Sequence, residues 1–247
     1  MKILAISDEV VDLLYSPRIK ERYADVDLVL GCGDLPFYYL EFIVTMLDVP
    51  LYYVPGNHDK PNQYMSDGRV VNRAEGCETL DGQVVSFNAS RQIDLAPQPP
   101  TLQAKEDTPH GSPPRVGEGQ GDGKGSVPLL FAGLGGCLRY NSDASHQYTQ
   151  GQMSARAMGL APALLFNRAR YGRPLDLFIS HAPPRGIHDG PDLAHTGFDI
   201  FNQMMDWFQP RFWLHGHSHV YRLDTVTATR YKQTVVLNVY PCRVIEW

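Results

Sequence analysis

Five short stretches place side chains with free lone pairs at the ends of apolar runs. They are Asp8, Gly33-Asp34, Gly56-Asn57-His58-Asp59, Ser180-His181 and Gly216-His217-Ser218-His219. Carboxylates, an amide carbonyl and imidazoles together suit a borderline or hard divalent cation such as Mn²⁺, Fe²⁺ or Zn²⁺. There are more ligands than one ion needs. Asp34 has two oxygens and could bridge two ions at about 3.5–4 Å, the separation in two-metal hydrolases. Taken singly, a strand-end Asp is ordinarily a turn former and a single His a hydrogen-bonded surface residue. The GD and SHAPP fragments are weak signals, and GNHD and GHSH are stronger. The weight lies in all of them occurring in one order, each after an apolar run. His217 and His219 lie two apart, which on a strand would put both on one face.

The elements that must carry these groups are legible around them. Lys2 to Ser7, Val26 to Asp34 and Leu51 to Val54 read as short buried strands, and Phe37 to Pro50 has apolar residues at helical spacing. The stretch between the first two strands is partly helical. This alternation predicts an α/β layout with parallel early strands. Later, "MSARAMGLAPALLFNRARYG" reads as a helix that Pro162 kinks or divides. "LDLFISHAPP" and "RFWLHGHSH" read as strands ending in His, with the helix "FDIFNQMMDWFQP" between them. The tail from Arg222 alternates like antiparallel strands. In an α/β sheet, ligands bind beyond the carboxyl ends of strands, so the polar groups should meet on one rim. The glycines are expected to let the backbone turn sharply there.

Residues 89–127 break the pattern. They are rich in Pro, Gly, Ser and charge and nearly devoid of large apolar side chains. Such a segment cannot bury enough surface to offset the entropy of ordering, so a disordered surface insertion is expected. It costs little if its ends are close, and "VVSFN" before it and "PLLFAGLGG" after it read as neighbouring strands. The expectation is one domain over residues 1–247 with this insertion inside it.

The order Asp8, Gly33-Asp34, Gly56-Asn57-His58-Asp59, His181, Gly216-His217-Ser218-His219 resembles the calcineurin-like metallophosphoesterases. The resemblance runs from Asp8 to His219, apart from the insertion. "SHAPPRGIHDGPD" and "WLHGHSHVY" are similar, more loosely, to a nucleotide-binding branch of that superfamily. The resemblance implies a four-layer αββα sandwich, two mixed β-sheets flanked by helices. It implies that Asp34, Asn57, His181 and His217 hold one metal and that Asp8, Asp34 and His219 hold another. It further implies that His58 protonates the leaving oxygen or stabilises charge, that Asp59 orients its imidazole, and that a metal-activated hydroxide attacks phosphorus. Mn²⁺ is the expected ion, with Fe²⁺ or Zn²⁺ as alternatives.

One position departs from the family pattern, which begins Asp-x-His, whereas this chain reads Asp8-Glu9-Val10. Val10 ligates nothing. The first site could be weak, could recruit Glu9 or Asp12, or could be empty with activity lost. A weak or altered first site beside a tight second one is the expectation. Glu9 should leave the strand on the face opposite Asp8. The resulting function is a phosphoesterase acting on a small phosphate mono- or diester, a nucleotide among the candidates. The competing reading is a non-catalytic scaffold that keeps the fold.

Bulk properties narrow the classes. The 247-residue chain has 43% hydrophobic and 20% charged residues, ordinary for a globular protein, and a net charge of −5 with scattered Lys and Arg. Nothing forms a basic stripe, so a nucleic-acid partner or a nuclease is disfavoured. No apolar run approaches the roughly 20 residues that span a bilayer, so no membrane association is expected. Cys32, Cys77, Cys137 and Cys242 lack any CxxC spacing and read as reduced thiols of a cytoplasmic protein. Arg139 and Tyr140, after the Gly133–Gly136 turn, and Arg185, His188 and Asp189 are further candidates for the cleft. His215, Cys32, Met204 and Met205 read as structural.

Overall fold

The computed structural model describes residues 1–65, 68–88, 127–142 and 145–247. The N-terminal half runs β1 (Lys2–Ile6), α1 (Ile19–Tyr23), β2 (Leu28–Gly31), α2 (Phe37–Leu47), β3 (Leu51–Tyr53), β4 (Gln63–Tyr64), β5 (Val70–Val71), β6 (Glu78–Thr79) and β7 (Gln83–Phe87). It continues with β8 (Leu129–Leu134), β9 (Cys137–Leu138), β10 (Gln147–Tyr148), α3 (Gln150–Tyr171) and β11 (Leu177–Ser180). The chain closes with α4 (Asp199–Phe208), β12 (Phe212–His215), β13 (Ala228–Tyr231), β14 (Thr234–Asn238) and β15 (Cys242–Glu246).

Two large sheets form, in the orders β15-β1-β2-β3-β6 and β13-β14-β12-β11-β8-β7. Strands β1, β2 and β3 are parallel, as their α/β alternation predicts. Strands β8, β11, β12 and β14 are likewise parallel. The tail is therefore not simply antiparallel. β14 pairs antiparallel with β13 but parallel with β12, and β15 crosses to the other sheet to pair antiparallel with β1. Alternation alone cannot distinguish these partners, because side-chain period is the same in both senses.

The alternation of side chains explains the layering. Ile3, Ala5, Leu28 and Leu30 of the first sheet pack with Phe131, Leu177, Ile179 and Leu214 of the second. The opposite faces turn outwards to helices. Leu4, Ile6 and Val29 pack with Ile19, Leu40 and Ile43, and Ala132, Phe178 and Trp213 pack with Leu160, Leu164, Phe201 and Met204. Helices, sheet, sheet, helices is the four-layer arrangement. Each fully buried Leu, Ile or Phe contributes about 1.5–3 kcal/mol, so strands buried on both faces have little tolerance for polar residues.

Local chemistry sets the helices. Pro36 precedes α2, and Asp48, left-handed at φ 55°, ends it before Pro50. Thr149 and Gln152 form a reciprocal capping box at the start of α3, and Gly172 closes its end. Pro162 does not divide α3, which is one 22-residue helix. Strands β7 and β8 pair antiparallel, Phe87 opposite Leu129. That is the neighbour relation expected of the stretches flanking the insertion. Residues 89–126 of the expected insertion lie outside the described residues. All four cysteines are free, and Cys32 is fully buried between the sheets. Among the described residues no helix is long and apolar enough to cross a membrane.

Candidate metal centre

Because the two sheets present parallel strands, the carboxyl ends of β1, β2, β3, β11 and β12 open towards one another. Asp8, Asp34, Asn57, His181 and His217 come from those five ends. One carboxylate oxygen each of Asp8 and Asp34 and a ring nitrogen of His181 lie within 4.8 Å of one another. His181 Nε2 stands 2.9 Å from Asn57 Oδ1, 3.1 Å from His217 Nδ1 and 3.3 Å from Asp34 Oδ2.

The chemistry of that meeting point follows from what holds each group. His181 Nδ1 lies 2.8 Å from the Cys32 carbonyl, and His217 Nε2 lies 2.7 Å from the Ala194 carbonyl. Carbonyls only accept, so these nitrogens carry the hydrogens. The Asn57 amide donates through Nδ2 to the Tyr140 hydroxyl at 3.1 Å, which leaves Oδ1 facing His181. Neutral His181 and His217 thus aim two nitrogen lone pairs at each other, beside the oxygens of Asn57 and Asp34. Such a buried set is stable only with positive charge at its centre. Burial by itself would lower the His181 pKa, but the adjacent Asp34 carboxylate outweighs it and lifts the imidazole to about 9. A divalent cation at this point would take the place of that proton, and the donor set fits one.

Burial likewise pushes Asp34 up, yet His181 and the His58 backbone N–H hold it well below the usual carboxylate range. Asp8 behaves in the same way: burial raises it, and His219, His181 and Ser7 together lower it further. His217 is pushed down to about 4 by burial and by His181, so near neutral pH it offers a free lone pair.

Three of the site residues sit in strained backbone. Asp8 (φ 64°), Asp34 (φ 55°) and His217 (φ 66°) are all left-handed, a conformation that costs a non-glycine residue about 1–3 kcal/mol. The expectation that glycines would do the turning is corrected. Of the glycines next to these residues only Gly33 has positive φ, at 94°. Gly56 and Gly216 are required for space. A Cβ on Gly56 would collide with the Asp34 carboxylate, and one on Gly216 with Ser7 Oγ and the Asp8 carboxylate. His217 and His219 do not share a strand face, as their spacing suggests, because β12 ends at His215 and both imidazoles project from the turn beyond it.

The other half of the site is more open. His219, with its side chain 40% exposed, has Nε2 3.7 Å from Asp8 Oδ1, whereas the Asp8 side chain is 1% exposed. The His219 ring stacks on Tyr240 at 4.7 Å, and the Tyr221 hydroxyl is 2.6 Å from its Nδ1. Val10 is half-buried and packs against the helix-side core of the first sheet. Glu9 accepts the Tyr240 hydroxyl at 2.7 Å and stays outside the Asp8–Asp34–His181 group. Asp8 also serves the buried half, because its two oxygens accept the His217 backbone N–H at 3.1 and 2.9 Å.

His58 is exposed at the cleft, with its backbone N–H tied to Asp34 Oδ1 at 2.7 Å. Asp59 does not take the role expected of it. Its Oδ2 accepts the backbone N–H groups of Asp34 (2.9 Å) and Gly56 (2.8 Å), so it fixes the turns that present Asp34 and His58 rather than the imidazole itself. Burial pushes this carboxyl up to about 7. Arg139 turns to the Gln147 carbonyl and Gln152, away from the cleft. The N–H groups of Gly135 and Gly136 are used by Asp81 and the Pro55 carbonyl, so that turn offers no phosphate cradle. His215 is fully buried, 2.9 Å from His188 Nδ1, and His188 is in turn 2.8 Å from Thr229 Oγ1. Sequence reasoning missed Ser7, whose hydroxyl donates to Asp8, and His195, which lines the cleft 5.2 Å from the His217 ring. Neither stands in a motif that would have drawn notice.

A family model described as calcineurin-like phosphoesterase matches residues 1–221. A crystal structure of TT1561 of Thermus thermophilus is similar in fold, with TM-score 0.53 at 14% identity over 96% of this chain and 88% of that one. A second solved structure aligns at TM-score 0.53 and 14% identity over 96% of this chain and 90% of its own. No curated protein matches the chain.

Proposed function

The chain belongs to the calcineurin-like phosphoesterase family, and on that premise we propose that it is a metal-dependent hydrolase of a small phosphate mono- or diester, nucleotides included. The observation that carries this reading is the convergence of Asp34, Asn57 and His217 on His181 Nε2, each at 3.3 Å or closer. These four residues hold the tight cation, Mn²⁺ by preference. Asp8, Asp34 and His219 hold a weaker one. A bound divalent cation supplies Lewis acidity to the phosphoryl group and lowers the pKa of water towards neutrality.

The side chains divide the remaining work. Asn57, aimed by Tyr140, and His181, aimed by the Cys32 carbonyl, keep the ligand atoms in place before any ion arrives. His58, solvent-facing at the cleft, hands a proton to the leaving oxygen. Asp59 keeps that residue on station through the two turns it ties. The free thiols fit a reducing cytoplasm.

The test is hydrolysis of an aryl phosphate and an aryl phosphodiester by the Mn²⁺-loaded protein, wild type against His58→Ala. Loss of a general acid should lower the rate by about 10²-fold or more. Equal background rates in both proteins would instead favour the non-catalytic scaffold.

A further inference from the structure

His217 projects from a turn that needs holding. The Ser218 backbone N–H donates to the Gly216 carbonyl at 2.7 Å, which closes a three-residue turn around His217 at φ 66°. A bond from i to i+2 around a residue of positive φ is the rare, strained form of the γ-turn. The Gly216–His217 peptide is pinned at both of its polar atoms. Its N–H donates to the two Asp8 oxygens at 3.1 and 2.9 Å, and its carbonyl lies 2.9 Å from His215 Nδ1.

The carbonyl contact fixes the direction of a longer chain. A carbonyl only accepts, so His215 Nδ1 carries the hydrogen. Among the described residues no carboxylate is bonded to the rings of His188 or His215, and burial keeps both uncharged near neutral pH. Neutral His215 therefore has a lone pair at Nε2, and His188 Nδ1, 2.9 Å away, donates to it. His188 Nε2 in turn accepts from the Thr229 hydroxyl at 2.8 Å. The order Thr229 to His188 to His215 to Gly216 is the one arrangement of hydrogens in which every contact has one donor and one acceptor. His188 lines the cleft, yet both of its nitrogens are spent in this chain. Its backbone carbonyl accepts the Ser218 hydroxyl at 2.8 Å, so His188 braces the turn from both sides.

Resting on the metal-dependent reading above, we propose that His215, His188 and Thr229 are positioning residues for His217: their hydrogen bonds run from the edge strand β13 to the Gly216 carbonyl and hold the strained turn that aims His217 Nδ1 at His181. Thr229 is not a ligand, yet its hydroxyl selects the tautomers of both histidines. Without that donor His188 is free to carry its hydrogen on Nε2. His215 then either faces a lone pair or gives up its bond to Gly216. A fully satisfied buried polar chain fixes one geometry, and a half-satisfied one does not.

The experiment titrates Mn²⁺ into the full chain by calorimetry. It compares wild type with Thr229→Val, which keeps a β-branched side chain on the strand but loses the hydroxyl, and with Thr229→Ser, which keeps the hydroxyl. The Kd of the tight ion should rise about 10-fold in Thr229→Val, the lower end for loss of an outer-sphere partner, and less than about 2-fold in Thr229→Ser. Nitrogen NMR of the metal-free wild type, which needs no variant, should find the hydrogen on Nδ1 in both His188 and His215. A merely structural role would lower the Tm of Thr229→Val and leave its Mn²⁺ Kd at the wild-type value. That result overturns the proposal and leaves the metal-dependent reading standing, as does a hydrogen on Nε2 of either ring. A wild-type protein that binds no Mn²⁺ overturns both.

Discussion

Around His181, the donor atoms of three side chains are aimed by a second bond on the protein side. The Cys32 carbonyl orients His181, the Ala194 carbonyl orients His217, and Tyr140 orients Asn57. Around His219 the support is of another kind. An imidazole 40% exposed leans on the Tyr240 ring and meets the Tyr221 hydroxyl, and Val10, half-buried against the helix-side core, supplies no donor atom. The comparison teaches that preorganisation is distributed unevenly across one site. Groups locked by buried partners pay little to reorganise when a cation arrives, whereas exposed ones must be ordered by it.

The largest test of this contrast is His217→Ala. It should remove the tight ion, weakening affinity by more than about 100-fold, beyond the upper range for loss of an outer-sphere partner. Asp8→Ala should release the weaker ion and loosen the tight one by about 10-fold, because the His217 N–H loses its acceptor. Metal analysis and titration calorimetry read both. Two ions of equal affinity, lost together in either variant, would erase the distinction between the halves.

Val10→His attacks the comparison from the open side. It should tighten the weaker site about 10-fold or more and bring the metal content close to two ions. Unchanged content in a folded variant would mean that another side chain, Glu9 first among them, already fills the place.

Tyr140→Phe is subtler. It frees the Asn57 amide to rotate, and metal affinity should fall about 10-fold, the lower end for an outer-sphere bond. A variant with wild-type affinity would show that Asn57 needs no such brace.

The smallest effect is on stability against pH in metal-free protein. Burial lowers His188 to about 4, with Arg243 adding to it, and lowers His215 to about 3, with His188 adding to it. Both lie below the ordinary value of about 6.5 for an unfolded histidine, so their contribution is complete above that pH and is lost as pH falls towards the folded values. His181 is lifted to about 9, so its contribution is complete below about 6.5 and is lost as pH rises through 9. Tm should therefore peak near pH 6.5 and drop by roughly 5 °C on either side. Mn²⁺ should flatten the alkaline limb, since a cation replaces the proton on His181. An alkaline limb identical with and without Mn²⁺ would place the ion elsewhere.

Much of this protein could be read along the chain. The apolar runs of β1, β2, β3, β11 and β12 and the helical spacing of α2 and α4 gave their elements, because burial on both faces of a strand or one face of a helix leaves a periodic trace. Partner choice left no such trace. The parallel pairing of β14 with β12 and the return of β15 to β1 had to be seen. At the site, Asp8, Asp34, Asn57, His58, His181, His217 and His219 were recognisable by type and order. The work of Asp59 was not, since a carboxylate beside a histidine in sequence can equally accept backbone N–H groups from two turns.

Residue identity alone settled which donor atoms this protein possesses and that position 10 offers none, because ligand chemistry is a property of the side chain. Where those atoms point was decided by the folded chain. Left-handed backbone at Asp8, Asp34 and His217, the room left by Gly56 and Gly216, and the tautomers set by the Cys32 and Ala194 carbonyls all arise from contacts between segments remote in sequence. Such contacts exist only once two sheets have packed face to face and brought their strand ends together.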